Sequence, residues 1–363
     1  MNPQPLIRLE NIILRRGGAT VLDIPEFQVQ NERVLALIGP NGAGKSTLLL
    51  MMAGLLKPKQ GKIYFQGKPV ESSADMASLR RHAAVVFQEP LLLSSSVFDN
   101  VALGLKFRKL KNKELGSRVK TALDYFGITH LAKRSAKMLS GGEAKRVSLA
   151  RAFAITPQII LLDEAFNSLD PPSRETIIED LKRILEETKI TAVLALHDRE
   201  ETLRLAQDVS VMNTGEIVQS GTTATIFNQP ESEFVANFVG TETILEGRVI
   251  DCAAGNMVID VNGKQLEAVG DCAVGKKVFC CLRPENVTVA NDSRAKISAR
   301  NIFEAQVTKV TRQGLFYKLS LACGFPLIAY ITILSCEELG IKEGTMVFAS
   351  FKSTAVHVIP REK

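Results

Sequence analysis

The run Gly39-Pro40-Asn41-Gly42-Ala43-Gly44-Lys45-Ser46-Thr47 has the residue types and spacing of a phosphate cradle. Its glycines let the backbone fold tightly enough for successive N–H groups to point at anionic oxygens. Lys45 is placed to reach β- and γ-phosphates, and the Ser46 hydroxyl to bind Mg²⁺. A second cluster ends the apolar run Ile159-Ile160-Leu161-Leu162. There Asp163 is a candidate Mg²⁺ ligand, and Glu164 a candidate base for the water that attacks a γ-phosphate. Between these two lies Leu139-Ser140-Gly141-Gly142-Glu143, at the head of a helical run. Ser140 and the free N–H groups at the positive end of that helix make a second anion site. Two phosphate sites serve one γ-phosphate when they face each other across a dimer.

The elements around these residues fit that chemistry. Val34–Ile38 reads as a buried parallel strand entering the cradle, and Thr47–Ala53 as the helix leaving it, with its positive end toward the phosphates. Residues 63–65, 84–87, 159–163 and 191–196 are further expected strands, and Asn213-Thr214-Gly215 a tight turn between two short ones. From about Leu6 to Gly240 the alternation of short apolar strands and helical segments predicts an α/β domain with a parallel core. After Gly240 the chain is rich in Val, Ile and glycine turns and predicts an all-β region.

That region repeats itself. Val278-Phe279-Cys280-Cys281-Leu282-Arg283 leads to Val287-Thr288-Val289 as Val347-Phe348-Ala349-Ser350-Phe351-Lys352 leads to Val356-His357-Val358. Glu246-Gly247-Arg248-Val249 echoes Glu304-Ala305-Gln306-Val307. Two small, related β-barrel units are expected, about 243–291 and 296–361.

Composition bounds the partners. The chain has 363 residues, enough for two or three domains, with 45% hydrophobic and 23% charged residues. A net charge of +6 is mild and permits anionic partners without demanding nucleic acid. The most basic stretch, Lys106 to Lys120, reads as a solvated helix face in preference to a surface near anionic lipid. There is no apolar run of membrane-spanning length and no signal-peptide pattern. The six cysteines, 252, 272, 280, 281, 323 and 336, form no CxxC pair and read as reduced, buried thiols of a cytosolic protein.

The order of these motifs over roughly residues 6–240 resembles the ATP-binding subunits of ABC transporters. It runs from the phosphate loop to Gln88 in Val86-Phe87-Gln88-Glu89, then LSGGE at 139–143, Asp163-Glu164, Ser168-Leu169-Asp170 and His197. The resemblance implies ATP and Mg²⁺, a P-loop ATPase domain at 1–240 and a helical subdomain at about 89–140. It implies a head-to-tail homodimer in which LSGGE of one subunit covers ATP held by the other. Gln88 then senses Mg²⁺ and couples to membrane subunits, Asp170 bridges the subunits, and His197 contacts the γ-phosphate. The chain departs from the pattern at Arg16, where the family usually stacks an aromatic side chain on adenine. A guanidinium either stacks on the base or points to solvent. Glu143 stands where Gln is commoner.

The tail, 241–363, resembles carboxyl-terminal regulatory domains of importers through Leu282-Arg283-Pro284-Glu285-Asn286-Val287. Ile297-Ser298-Ala299-Arg300-Asn301-Ile302-Phe303, with Glu337 to Gly344, is similar to the small molybdate-binding barrel called Mop. That similarity implies Ser298, Arg300 and Asn301 as donors to a tetrahedral oxyanion; the other reading is a barrel that keeps only the turns. The function implied is the ATPase subunit of a molybdate or tungstate importer. It would sit at the cytoplasmic face of the membrane, beside separate permease subunits and, indirectly, an extracellular oxyanion-binding protein. Other importer cargoes (sulfate, a polyamine, a sugar) and a non-transport ABC ATPase are the alternatives. A molybdate-responsive DNA-binding regulator would need a helix-turn-helix where the ATPase motifs stand, so no nucleic-acid partner is expected.

Overall fold

The computed structural model describes residues 4–167, 169–292 and 298–361; Ser168 and Ile297 of the motifs above lie outside the described residues. The chain divides into two compact units, Met1–Thr223 and Ala224–Lys363.

In the first unit, β1 (Ile7–Arg16) and β2 (Ala19–Val29) form a hairpin, followed by β3 (Val34–Ile38) and α1 (Lys45–Met52). Then come β4 (Gln60–Phe65), β5 (Lys68–Pro69), α2 (Ser73–His82) and β6 (Ala83–Val86). Three helices, α3 (Val97–Phe107), α4 (Asn112–Tyr125) and α5 (Gly141–Ala154), precede β7 (Ile159–Asp163). The unit closes with α6 (Pro171–Thr188), β8 (Thr191–Leu196), α7 (Arg199–Leu205), β9 (Asp208–Asn213) and β10 (Glu216–Thr222).

Two sheets result: an antiparallel one ordered β2-β1-β4-β5 and a six-stranded one ordered β10-β9-β3-β8-β7-β6. The second is parallel except for β10, which returns antiparallel to β9 through Asn213-Thr214-Gly215, as expected. β3 and β8 are buried at every position, the pattern of strands covered on both faces. Helix α1 contributes Leu48, Leu49, Met51 and Met52 to a core that both sheets share. An eight-residue helix with this much burial is held by packing more than by its own propensity.

Helix α8 (Thr223–Asn228) starts at the last residue of the first unit and leads into the second, where α9 (Glu233–Phe238) follows. Then follow β11 (Thr243–Ala253), β12 (Asn256–Val261), β13 (Lys264–Val269), β14 (Lys277–Leu282) and β15 (Thr288–Ala290). The last part is β16 (Asn301–Gln313), β17 (Phe316–Ala322), β18 (Pro326–Thr332), α10 (Ile333–Glu338), β19 (Met346–Phe351) and β20 (His357–Pro360). The sheet orders are β13-β12-β11-β14-β20 and β15-β19-β16-β17-β18.

The two sheets have matching strand orders, and the strand that ends each echoed segment pairs in the other sheet. β15, which ends the first repeat, pairs with β19 of the second, and β20, which ends the second, pairs with β14 of the first. Segments 243–291 and 296–361 thus do not close as separate barrels. Both sheets feed one hydrophobic cluster, from Leu245 and Val249 to Val347 and Phe351. Matching side-chain ties join them: Thr243, at the head of β11, accepts from the Ile328 N–H at 3.1 Å, and Asn301, at the head of β16, accepts from the Glu267 N–H at 2.8 Å.

Candidate functional site

Parallel pairing brings the chemistry to one sheet edge. Ile38 aligns with Leu196, Leu162 with Leu194 and Val86 with Leu162, so β3, β6, β7 and β8 end together. At or just beyond these ends stand Gly39, Gln88, Asp163-Glu164 and His197. The carboxyl edge of an open parallel sheet is where such folds bind ligands.

The cradle turns where only glycine fits. At Gly39 a Cβ would lie 2.2 Å from the Met212 carbonyl oxygen, and Gly44, which caps α1, has φ +103°. Lys45 is 5% exposed, and its Nζ donates to the Gly39 and Pro40 carbonyls at 2.8 and 3.1 Å. Burial holds this ammonium below its usual pKa, against the pull of Glu164 and Asp163. The Ser46 hydroxyl donates to Asp163 Oδ1 at 2.8 Å. Burial raises the Asp163 carboxyl above its usual range, opposed by that hydrogen bond.

Glu164 has φ +45°, a costly conformation for a residue with a side chain. Its N–H donates to the Ala195 carbonyl at 3.2 Å. The Asn167 amide, which sequence reasoning did not single out, donates to Glu164 Oε2 at 2.7 Å, while Oε1 lies 4.0 Å from Lys45 Nζ. The strained turn and the amide fix the carboxylate at the rim of the cradle. Gln88 and His197 are exposed at the same edge. Arg16 is exposed at the Arg16-Gly17-Gly18 turn that ends β1.

Ser140 and Glu143 cap α5 reciprocally. The Ser140 N–H donates to Glu143 Oε2 at 2.8 Å, and the Glu143 N–H to Ser140 Oγ at 3.3 Å. A glutamate at 143 thus completes a capping box, worth about 1 kcal/mol. The Ser140 bonds also hold the Glu143 carboxyl below its usual range. Asp170 caps α6 by accepting from the Ser173 N–H at 2.9 Å, and its carboxylate is open to solvent. Lys145, in α5, also escaped the sequence reading, because a lysine beside Arg146 looks like a solvated face. It is 1% exposed, and burial pushes its ammonium down to about 8.

In the second unit Ser298 lines a cavity of about 390 Å³ together with Asn286, Thr288, Ser350 and Lys352, and with Glu285. Arg300 is exposed. Asn301 corrects the sequence expectation: it is 2% exposed, and its amide both accepts from the Glu267 N–H and donates to the Glu267 carbonyl at 2.9 Å. With both ends of the amide engaged, it is a strut between β13 and β16. Lys352 and Thr288 were visible as repeat positions but not as lining of one cavity.

The cradle, the paired carboxylates and the parallel sheet make the first unit a phosphate-loop nucleotide-binding domain. A family model described as ABC transporter matches residues 22–167, and one described as TOBE domain matches residues 297–358. The molybdate/tungstate import ATP-binding protein WtpC of Pyrococcus horikoshii is 37% identical over 336 residues, covering 92% of this chain and 94% of that protein. WtpC of Thermococcus kodakarensis is 39% identical over 286 residues, covering 77% and 82%. Among solved structures, cbiO1 of Clostridium perfringens, part of the ABC transporter complex cbiONQ, matches with TM-score 0.58 and 31% identity over 66% of this chain and 95% of that one. An ATP-binding cassette solved as a post-hydrolysis dimer with ADP and Pi matches with TM-score 0.54 and 27% identity over 60% and 98%. The chain belongs to the ATP-binding proteins of ABC transporters: it is a nucleotide-binding ATPase with a carboxyl-terminal all-β TOBE unit.

Proposed function

We propose that this ATPase powers import of molybdate or tungstate through separate permease subunits. It would work as a head-to-tail homodimer at the cytoplasmic face of the membrane, supplied indirectly by an extracellular oxyanion-binding protein. The observation that carries the cargo is that similarity to proteins named for molybdate/tungstate import runs through both units, over 92% of this chain. Among the described residues no helix is long and apolar enough to cross a membrane, which agrees with a separate permease.

The residues at the sheet edge supply the steps of hydrolysis. As ATP enters, Lys45 exchanges its Gly39 and Pro40 carbonyls for phosphate oxygens. The loop amides and the start of α1 hold the rest of the triphosphate. Ser46 and Asp163 place two hard oxygens 2.8 Å apart, a donor pair that fits Mg²⁺. Mg²⁺ held there would supply positive charge against the phosphates. Glu164, held by Asn167, accepts a proton from the attacking water as the γ-phosphorus–oxygen bond to ADP breaks, leaving ADP and phosphate. Ser140 to Glu143 of the second subunit close over the γ-phosphate, His197 contacts it, and Asp170 joins the subunits. Arg16 is the residue nearest in sequence to the usual adenine platform and stacks on the base or leaves it to solvent. Closure and reopening of this dimer are the work passed to the permease.

Ser298 and Arg300 are the proposed oxyanion donors in the second unit, with Lys352 lining the same cavity as Ser298. Calorimetric titration of the full chain tests cargo and sensor together. Saturable binding of molybdate or tungstate, with sulfate at least about tenfold weaker (1.4 kcal/mol), is expected. Absence of binding by either metal oxyanion overturns the sensor, and sulfate binding as tightly overturns the cargo.

A further inference from the structure

The buried Lys145 ammonium is bonded to carbonyls. Nζ donates to Phe87 O at 3.0 Å and to Gln88 O at 2.6 Å. Further along α5, Arg151 donates to Leu91 O at 2.9 Å and to Pro90 O at 3.0 Å. Four carbonyls of a five-residue segment are thus claimed by two cations of one helix. Among the described residues neither cation is paired with a carboxylate. Burying a cation without a counter-charge is costly, and an apolar side chain would fill the same space more cheaply. What the cations add is a hold on the segment's backbone.

That segment follows β6, which ends at Val86, and carries Gln88. Leu91 within it has φ +43°. Just beyond it, the fully buried Asn100 of α3 accepts from the Leu93 N–H at 2.8 Å and donates to the Leu93 and Ser96 carbonyls at 3.1 and 3.0 Å. From Phe87 onward the chain is therefore fastened to α3 and α5. The Lys145 end of the clamp lies in the first turns of the helix capped by Ser140 and Glu143.

We propose that Lys145 is a positioning residue for ATP hydrolysis: by holding the Phe87 and Gln88 carbonyls against α5 it fixes where the Gln88 side chain stands at the sheet edge that carries the phosphate loop. Arg151 is the second point of the same clamp. The inference rests on the reading of Gln88 as the residue that senses Mg²⁺ beside the phosphate loop.

A double-mutant cycle on the full chain tests it, with steady-state ATPase kinetics, nucleotide affinity and melting temperature as readouts. Lys145→Gln keeps a neutral donor and is expected to fold, but to lower kcat about tenfold through misplacement of Gln88, with KM for ATP within about twofold of the parent. Gln88→Ala is expected to lower kcat similarly. The double variant is expected to be no slower than the slower single one, because both changes break one connection. Lys145→Arg, which restores a cation with several donors, is expected to recover kcat to within about threefold. Multiplying losses in the double variant, or a loss in Lys145→Gln that tracks melting temperature and KM, overturns the role of Lys145. If Gln88→Ala alone has parental kinetics, the Gln88 reading falls first, and the route proposed for Lys145 falls with it.

Discussion

Replacing Asn301 by alanine separates a strut from a ligand. The side chain is 2% exposed and spans from β16 to the backbone of Glu267 in β13, through bonds of 2.8 and 2.9 Å. Alanine removes both bonds, and water cannot replace them where the side chain was buried. Each buried backbone group left unpaired costs about 1–3 kcal/mol, so a combined loss of about 2–6 kcal/mol is expected. At about 3 °C per kcal/mol for a unit of this size, its thermal transition drops by about 6–18 °C. Thr243→Val is the internal control, because Thr243 makes the equivalent tie with one bond, to the Ile328 N–H at 3.1 Å. Its expected cost is about 1–3 kcal/mol, half that of Asn301→Ala. Ser298→Ala changes an exposed side chain and is expected to leave melting within about 0.5 kcal/mol while weakening oxyanion binding. Scanning calorimetry with and without molybdate reads both quantities. An Asn301→Ala protein that melts like the parent but no longer binds molybdate would refute the reasoning, since that is the behaviour of a ligand.

Two further outcomes follow from the geometry. Glu164→Gln removes the proton acceptor but keeps the Lys45 and Ser46 contacts. Turnover should fall about 10²–10⁴-fold with ATP affinity retained and a closed dimer accumulating on size exclusion; hydrolysis at the parental rate would defeat the assignment. Burial pushes the Cys280 and Cys281 thiols up to about 12 and Cys323 to about 11, so at pH 8 roughly one in 10³–10⁴ of each is thiolate. Iodoacetamide on the native chain should therefore label the half-buried Cys252 and Cys272 first, read by peptide mass spectrometry. Labelling of Cys280 as fast as Cys252 would contradict a closed core.

What the sequence discloses depends on whether the information is local. The cradle is legible because glycine spacing alone decides which backbone can approach a phosphate, and Asp163-Glu164 because a fully apolar strand must end at them. Lys145 is illegible, since its burial comes from segment 87–91 folding back on α5 across many intervening residues. The strand exchange is illegible for another reason. Two similar copies make pairing within a copy and between copies look alike, and only the turns at Pro284–Asn286 and Ser353–Ala355 send each last strand across. Asn301 is the instructive error. Carrying the echo of Glu246–Val249 in Glu304–Val307 back by three residues sets Thr243 opposite Asn301, and both are polar strand heads that tie to the other sheet. The same alignment sets Ser298 opposite Gly240 and Arg300 opposite Glu242, while the separate match of Val278–Arg283 with Val347–Lys352 sets Lys352 opposite Arg283, whose guanidinium donates to the Phe227 carbonyl. A polar role present in both copies answers to the fold. Polar groups whose chemistry or use differs between the copies are free to answer to a ligand, which removes Asn301 from the candidate oxyanion site and leaves Ser298, Arg300 and Lys352 in it.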